Sequence, residues 1–91
     1  MNDKIAIESL SMDLYRTAIG LHRGSYKMAK RFSDEAILRC GEIKKDNVKP
    51  YFIKILQGIE DCLSNQPRAR TAEDALMYSV LCKNYVKKFL S

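Results

Sequence analysis

The sequence predicts an all-α protein, a small up-down-up-down four-helix bundle, from three observations. Apolar residues recur every three or four positions along most of the chain, which is the period of one helical face. Only two prolines and four glycines occur among 91 residues, and the abundant Leu, Ile, Ala, Lys and Glu favour helix over strand. The apolar pattern lapses at three short stretches, and short connections make neighbouring helices antiparallel. Residues 1–91 read as a single helical-bundle domain, with no internal repeat and no low-complexity tract.

The first helix opens at Asn2 or Asp3, either of which suits an N-cap. Ile7, Leu10, Leu14, Ala18 and Leu21 follow at steps of three or four and form its inner stripe. Ile5, Met12 and Ile19 read as widening that stripe. Lys4, Glu8, Ser11 and Arg16 read as the opposite face.

The stripe runs on through Ser25, Met28 and Phe32, so one very long helix is a possible reading. Two breaks compete with it. Gly20 and Gly24 each weaken a helix by roughly 1 kcal/mol relative to Ala. Gly24 suits the left-handed residue that ends helices, and Ser25 is a good N-cap. Ser33-Asp-Glu-Ala is also a good helix start. The break near residues 22–25 is preferred. Helix two then runs from about Ser25 to Lys45 on Ala29, Phe32, Ala36, Cys40 and Ile43, flanked by Met28 and Ile37. Lys44 and Lys45 are expected in its last turn, where cations complement the helix dipole.

Helix three begins either with Asn47 as cap or at Pro50 itself, since the residue before a proline resists helical geometry. It carries Phe52, Ile55, Ile59 and Cys62, with Leu56 and Leu63 beside them. The stretch from Ser64 to Arg70 is the clearest loop. Thr71-Ala-Glu-Asp74 resembles a capping box with acids in the first turn. Helix four carries Ala75, Leu76, Ser79, Cys82, Val86 and Phe89. Tyr78, Leu81 and Tyr85 lie outside that stripe and widen its apolar surface, and Lys87 and Lys88 close it.

Composition narrows the function. A chain this short buries only about 60% of its unfolded surface, so self-association is a natural way to bury more. Sixteen basic against eleven acidic residues, net +5, favours an acidic partner. Three cysteines are too few for a disulfide scaffold. No apolar run approaches the roughly 20 residues of a membrane span, and Met-Asn-Asp-Lys-Ile lacks a signal-peptide pattern. A reduced, cytoplasmic protein with no membrane contact is expected.

Each helix offers one residue of metal-ligating type: His22, Cys40, Cys62 and Cys82. A rise of about 1.5 Å per residue sets Cys40 roughly 22 Å below His22, and Cys82 about 16 Å down helix four. Four ligands at such heights do not meet at one ion, so no metal and no cofactor is expected. The cysteines read as small core residues. No catalytic residue is assigned. Phosphate loops, HExxH and Glu-x-x-His are all missing from the sequence.

Arg16-Thr-Ala-Ile-Gly-Leu-His22 has five residues between Arg and His. That spacing resembles the signature of the HEPN ribonucleases, which are also helical bundles. The resemblance covers these two residues and implies an RNA-cleaving role for Arg16 and His22.

The stretch from His22 to Arg31 holds the single histidine and four basic residues without an acid. In an antiparallel bundle its Arg23, Tyr26, Lys27, Lys30 and Arg31 share one end with Arg68 and Arg70. These seven residues are the candidate contact for an acidic partner. Arginine forks would hold phosphates and Tyr26 would stack on a base. The same charges also read as a solvated rim, neutralised by Glu60, Asp61, Glu73 and Asp74.

The expected role is a small non-catalytic protein–protein interaction module that associates with itself or another protein. Tyr78, Leu81 and Tyr85 are its candidate interface, because an exposed apolar patch on a small bundle marks a contact surface. Nucleic-acid binding at the basic end is the alternative, and a HEPN-like ribonuclease is a further one.

Overall fold

Asn2 caps the first helix: its Oδ1 accepts the Ile5 N–H at 2.9 Å, and α1 runs over Asp3–His22. The structure is a computed structural model, and it describes residues 2–64 and 70–90. Gly24 ends α1 with φ +71°. Its N–H donates to the Leu21 carbonyl at 3.2 Å, and the Ser25 N–H donates to the Gly20 carbonyl at 2.8 Å. This pair of bonds is the Schellman arrangement, which satisfies the last carbonyls of a helix. The break therefore falls at Gly24, and Ser33 lies buried inside α2, Tyr26–Glu42.

α2 ends three residues before the expected Lys45. Ile43 turns to extended backbone, φ −82° and ψ 120°, and only 3% of it remains exposed. Burying that side chain takes the chain out of the helix, so Lys44 and Lys45 do not lie in the last turn. A single 3-10 turn, Lys45–Asn47, leads into α3, Pro50–Ser64. α4 spans Thr71–Tyr85 and continues as a wider π-helical turn, Val86–Leu90. Arg70 rather than Thr71 holds its N-cap position, and Thr71 is buried in the first turn. The expected loop before it falls on residues 65–69, outside the described residues.

The four helices form an antiparallel up-down-up-down bundle, 35 × 19 × 19 Å along its principal axes. α1 packs closely against α2 and α4, while α3 closes the bundle against α4 and, less extensively, α2. Side-chain size follows that arrangement. Ile7, Leu10 and Leu14 of α1, and Phe52, Leu56, Ile59 and Leu63 of α3, supply the bulk of the core. α2 contributes Ala29, Ser33, Ala36 and Cys40, and α4 contributes Ala75, Ser79 and Cys82. Small residues on two helices allow their backbones to approach α1 closely.

Two crossings show how close. Between α1 and α4, the Ser11 hydroxyl donates to the Ser79 carbonyl and the Ser79 hydroxyl donates to the Ser11 carbonyl, each at 2.9 Å. Between α1 and α2, a Cβ built on Gly20 would meet the Ala29 backbone nitrogen at 2.9 Å. At the other end, rings join α3 to α4. Phe52 stacks on Tyr85 at 4.2 Å between centroids, and the Tyr85 hydroxyl accepts the Lys49 N–H at 3.0 Å.

The inner stripes differ from expectation by one position in two helices, and in α4 Tyr85 joins the expected Val86 while Phe89 stays exposed. Ser33 replaces Phe32 in α2, and Leu56 and Leu63 replace Ile55 and Cys62 in α3. Phe32 lies half-buried, with the Arg16 and Arg31 guanidiniums at 5.3 and 5.2 Å from its ring centre.

Two glycines test the crossings with opposite signs. Gly20→Ala is expected to destabilise by about 1–3 kcal/mol, as overpacking does, although Ala outranks Gly in helix propensity by about 1 kcal/mol. Gly41→Ala meets nothing within 4 Å and is expected to stabilise by up to about 1 kcal/mol. Urea unfolding of both variants checks the pair. A Gly20→Ala protein as stable as the parent would mean that α1 and α2 are less closely packed.

Candidate functional site

The basic end comes together in part. Arg23, Tyr26, Lys27, Lys30 and Arg31 sit where α1 hands over to α2, and Arg70 begins α4 at the same end. Arg68 lies outside the described residues. Three of these cations are engaged on their own helix. Lys30 pairs with Asp34 at 2.9 Å, Arg31 with Glu35 at 4.0 Å and Arg70 with Glu73 at 3.7 Å. Arg23 and Lys27 have no carboxylate partner among the described residues. Tyr26 between them is 65% exposed.

Arg16 and His22 do not converge within one copy. Six residues of helix separate them by about 9 Å along the axis and about a third of a turn around it. Arg16 leans toward α2, over Phe32, while His22 is exposed at the end of α1. The three cysteines are free thiols. Burial pushes the Cys40 and Cys82 thiols up to about 12, and each is therefore a poor nucleophile. Among the described residues no group of three or more His, Cys, Asp or Glu side chains is placed to hold a metal ion. None of the described helices is long and apolar enough to cross a membrane.

The candidate interface on helix four needs correction. Tyr85 is 3% exposed, stacked on Phe52 and bonded to the Lys49 amide, so it is core and not surface. Tyr78 is half-buried with its phenol against Gly58, where a glycine leaves it room. Leu81 is also half-buried. Aromatic residues outside the main stripe of α4 face α3, which the helical period alone does not reveal.

Exposed apolar residues lie on several elements, Leu38 of α2 among them, and on α1 they form a line. Ile5, Glu8, Met12, Tyr15, Ile19 and His22 alternate steps of three and four, and so form one straight seam along α1. The seam runs opposite Leu10 and Leu14. Ile5, Met12 and Tyr15 are 48, 41 and 45% exposed. On α4, Met77 and Val80 are exposed as well. The Ser11–Ser79 crossing sets them level with the middle of the seam. Ile5 and Met12 thus do not widen the inner stripe; they belong to a second one, which half-buried Ile19 continues. The seven-residue spacing was the available signal.

Beside the seam lies a shallow groove of about 410 Å³ between α1 and α2, lined by Ile5, Met12, Asp13, Arg16, Glu35 and Arg39 among others. Asp13 is 4% exposed and its nearest charged partner, Arg16 Nη1, is 3.9 Å away, beyond hydrogen-bond distance. Burial raises the Asp13 carboxyl above the ordinary aspartate range, helped by the charge of Glu35 and opposed by Arg39 and Arg16. Arg39 spends its guanidinium on Glu42 at 2.8 Å, and its Nε is buried without a hydrogen-bond partner among the described residues. Sequence reasoning missed this cluster, because Asp13 falls between core positions of α1.

No family model, no curated protein and no solved structure matches the chain.

A raised carboxyl pKa in the folded state means that the folded protein holds the Asp13 proton more tightly than the unfolded chain. The cost of the charged form is then fully present above the folded pKa. It is relieved as the pH falls through that value toward the unfolded one. Asp13→Asn is expected to raise the Tm at neutral pH, with the gain over the parent shrinking as the medium is acidified. Thermal unfolding followed by circular dichroism at a series of pH values checks this. A variant less stable than the parent at neutral pH would assign Asp13 a net stabilising ion pair with Arg16 and Arg39.

Proposed function

We propose that this chain is a small non-catalytic interaction module that associates with copies of itself through the outer faces of α1 and α4. The observation that carries the reading is the second apolar seam of α1. A helix that is apolar on two opposite sides is normally buried on both. Here α1 fills the core with Ile7, Leu10 and Leu14, and still turns Ile5, Met12 and Tyr15 to solvent.

Magnitudes favour a modest affinity. Burying the remaining half of a large apolar side chain is worth roughly 1 kcal/mol. Two copies contribute about ten such side chains, against an association cost of about 4–15 kcal/mol. The balance describes a dimer that forms and dissociates, not an obligate one.

Light scattering across a concentration series is the test. The parent is expected to dimerise reversibly as concentration rises. Met12→Glu is expected to weaken that association at least tenfold while leaving helicity unchanged. A parent that stays monomeric at the highest concentration reached, or a Met12→Glu protein that associates equally well, would remove the proposal.

A second reading is supported by Tyr26, exposed between Arg23 and Lys27, two cations of the basic end that have no carboxylate partner among the described residues. It is the geometry of a weak contact with single-stranded nucleic acid, a ring to stack on a base and charges for the backbone. Binding of single-stranded RNA or DNA that falls steeply with salt, and that Arg23→Ala with Lys27→Ala abolishes, would support it. No binding at low salt would end it.

A further inference from the structure

We propose that the surface covering the outer seam of α1 is α1 of a second copy, laid antiparallel across a two-fold axis that passes between Met12 and Tyr15. This rests on the self-association reading and specifies its geometry.

The spacing of the seam is that of a coiled-coil face: Ile5, Met12 and Ile19 occupy one set of positions and Glu8, Tyr15 and His22 the other. A helix with this pattern docks on another helix, not on a flat sheet. The seam is six residues and about 26 Å long by helical rise, so it occupies most of the 35 Å length of the bundle. A copy of itself matches that length, and a two-fold axis lets the same patch serve both sides.

The position of Glu8 and the helix dipoles favour one direction. Glu8 is the acid within the seam, and it lies toward the N-terminal end. Lys4 lies one turn before it, and Arg16 and His22 of α1, with Arg23 at its C-cap, lie toward the C-terminal end. Parallel pairing sets Glu8 beside Glu8 and His22 beside His22, with Arg16 and Arg23 likewise facing their own copies. Antiparallel pairing separates the two Glu8 carboxylates, brings each toward the C-terminal cations of the other copy and opposes the two helix dipoles, although Lys4 then lies level with Arg23 of the other copy. It also sets Met12 of one copy beside Tyr15 of the other, and Ile5 beside His22. Met77 and Val80 then lie level with the axis, because the Ser11–Ser79 crossing holds α4 level with the centre of the seam.

Site-directed cross-linking of the full chain distinguishes the arrangements. Cys62→Ser removes the half-buried native thiol, and Cys40 and Cys82 are buried. In that background, chains carrying Met12→Cys are mixed with chains carrying Tyr15→Cys and oxidised gently. Ile5→Cys and His22→Cys chains are mixed in the same way. Antiparallel pairing is expected to yield mixed disulfides several-fold above the statistical share in both mixtures. Dominant Ile5→Cys homodisulfides, with few mixed ones, would overturn the antiparallel arrangement while leaving self-association standing. A dimer seen by light scattering that cross-links at none of these positions would overturn the α1 interface. A chain that scatters as a monomer throughout would overturn the self-association reading itself, and this inference with it.

Discussion

The close approach of α1 to two neighbours is the constraint on which the bundle depends. Helices separated by large side chains have slack; helices that meet at serine, alanine and glycine have almost none. At the α1–α4 crossing, Ser11 and Ser79 exchange hydroxyl-to-carbonyl bonds at 2.9 Å, which fixes both register and separation. Each such neutral bond is worth only about 1 kcal/mol net, yet an unpaired hydroxyl there would carry the full cost of desolvation. At the α1–α2 crossing, Gly20 leaves no room for a side chain against Ala29. Leucines and isoleucines of α1 share the core with the large residues of α3, and size is divided between the helices: bulk on α1 and α3, and, Tyr85 apart, small residues on α2 and α4.

Much of this was legible in the residues. The apolar period identified four helices, and the Gly24-Ser25 pair located the first reversal, because a left-handed residue followed by a helix start is a local device. Boundaries set by tertiary contact were less accessible. α2 ends early because Ile43 is drawn into the core, and Lys44 and Lys45 carry no sign of that. In α2 the stripe slipped by one where a small polar residue competed with a large apolar neighbour. Ser33 is buried beside half-buried Phe32, since closeness to α1 favours the smaller side chain there. Tyr85 shows the same limitation in reverse: a ring outside the main stripe belongs to the α3 contact, not to solvent.

The proposed contact surface followed the same logic. α1 is apolar enough to be buried twice, and only the packing shows which stripe is inside. The inner stripe is taken by the core, which leaves Ile5, Met12 and Tyr15 facing outward, with half-buried Ile19 next in the series. Beside that series Asp13 is held in a setting that disfavours its own charge, with Glu35 near it and the arginines only partly compensating. The basic end is more dilute than the sequence suggests, because Lys30, Arg31 and Arg70 are paired along their own helices. Exposed pairs of that kind contribute little to stability, but they do reduce the charge offered to a partner.

If α1 is the helix that the others are fitted to, its backbone is the last to open. Native-state hydrogen exchange measures that directly, amide by amide. The expected result is that amides from Leu10 to Ala18 of α1, and those around Ser79 of α4, exchange only through global unfolding, while α3 opens at lower free energy. Slowest exchange in α3, with α1 opening first, would contradict a bundle organised by the close crossings of α1.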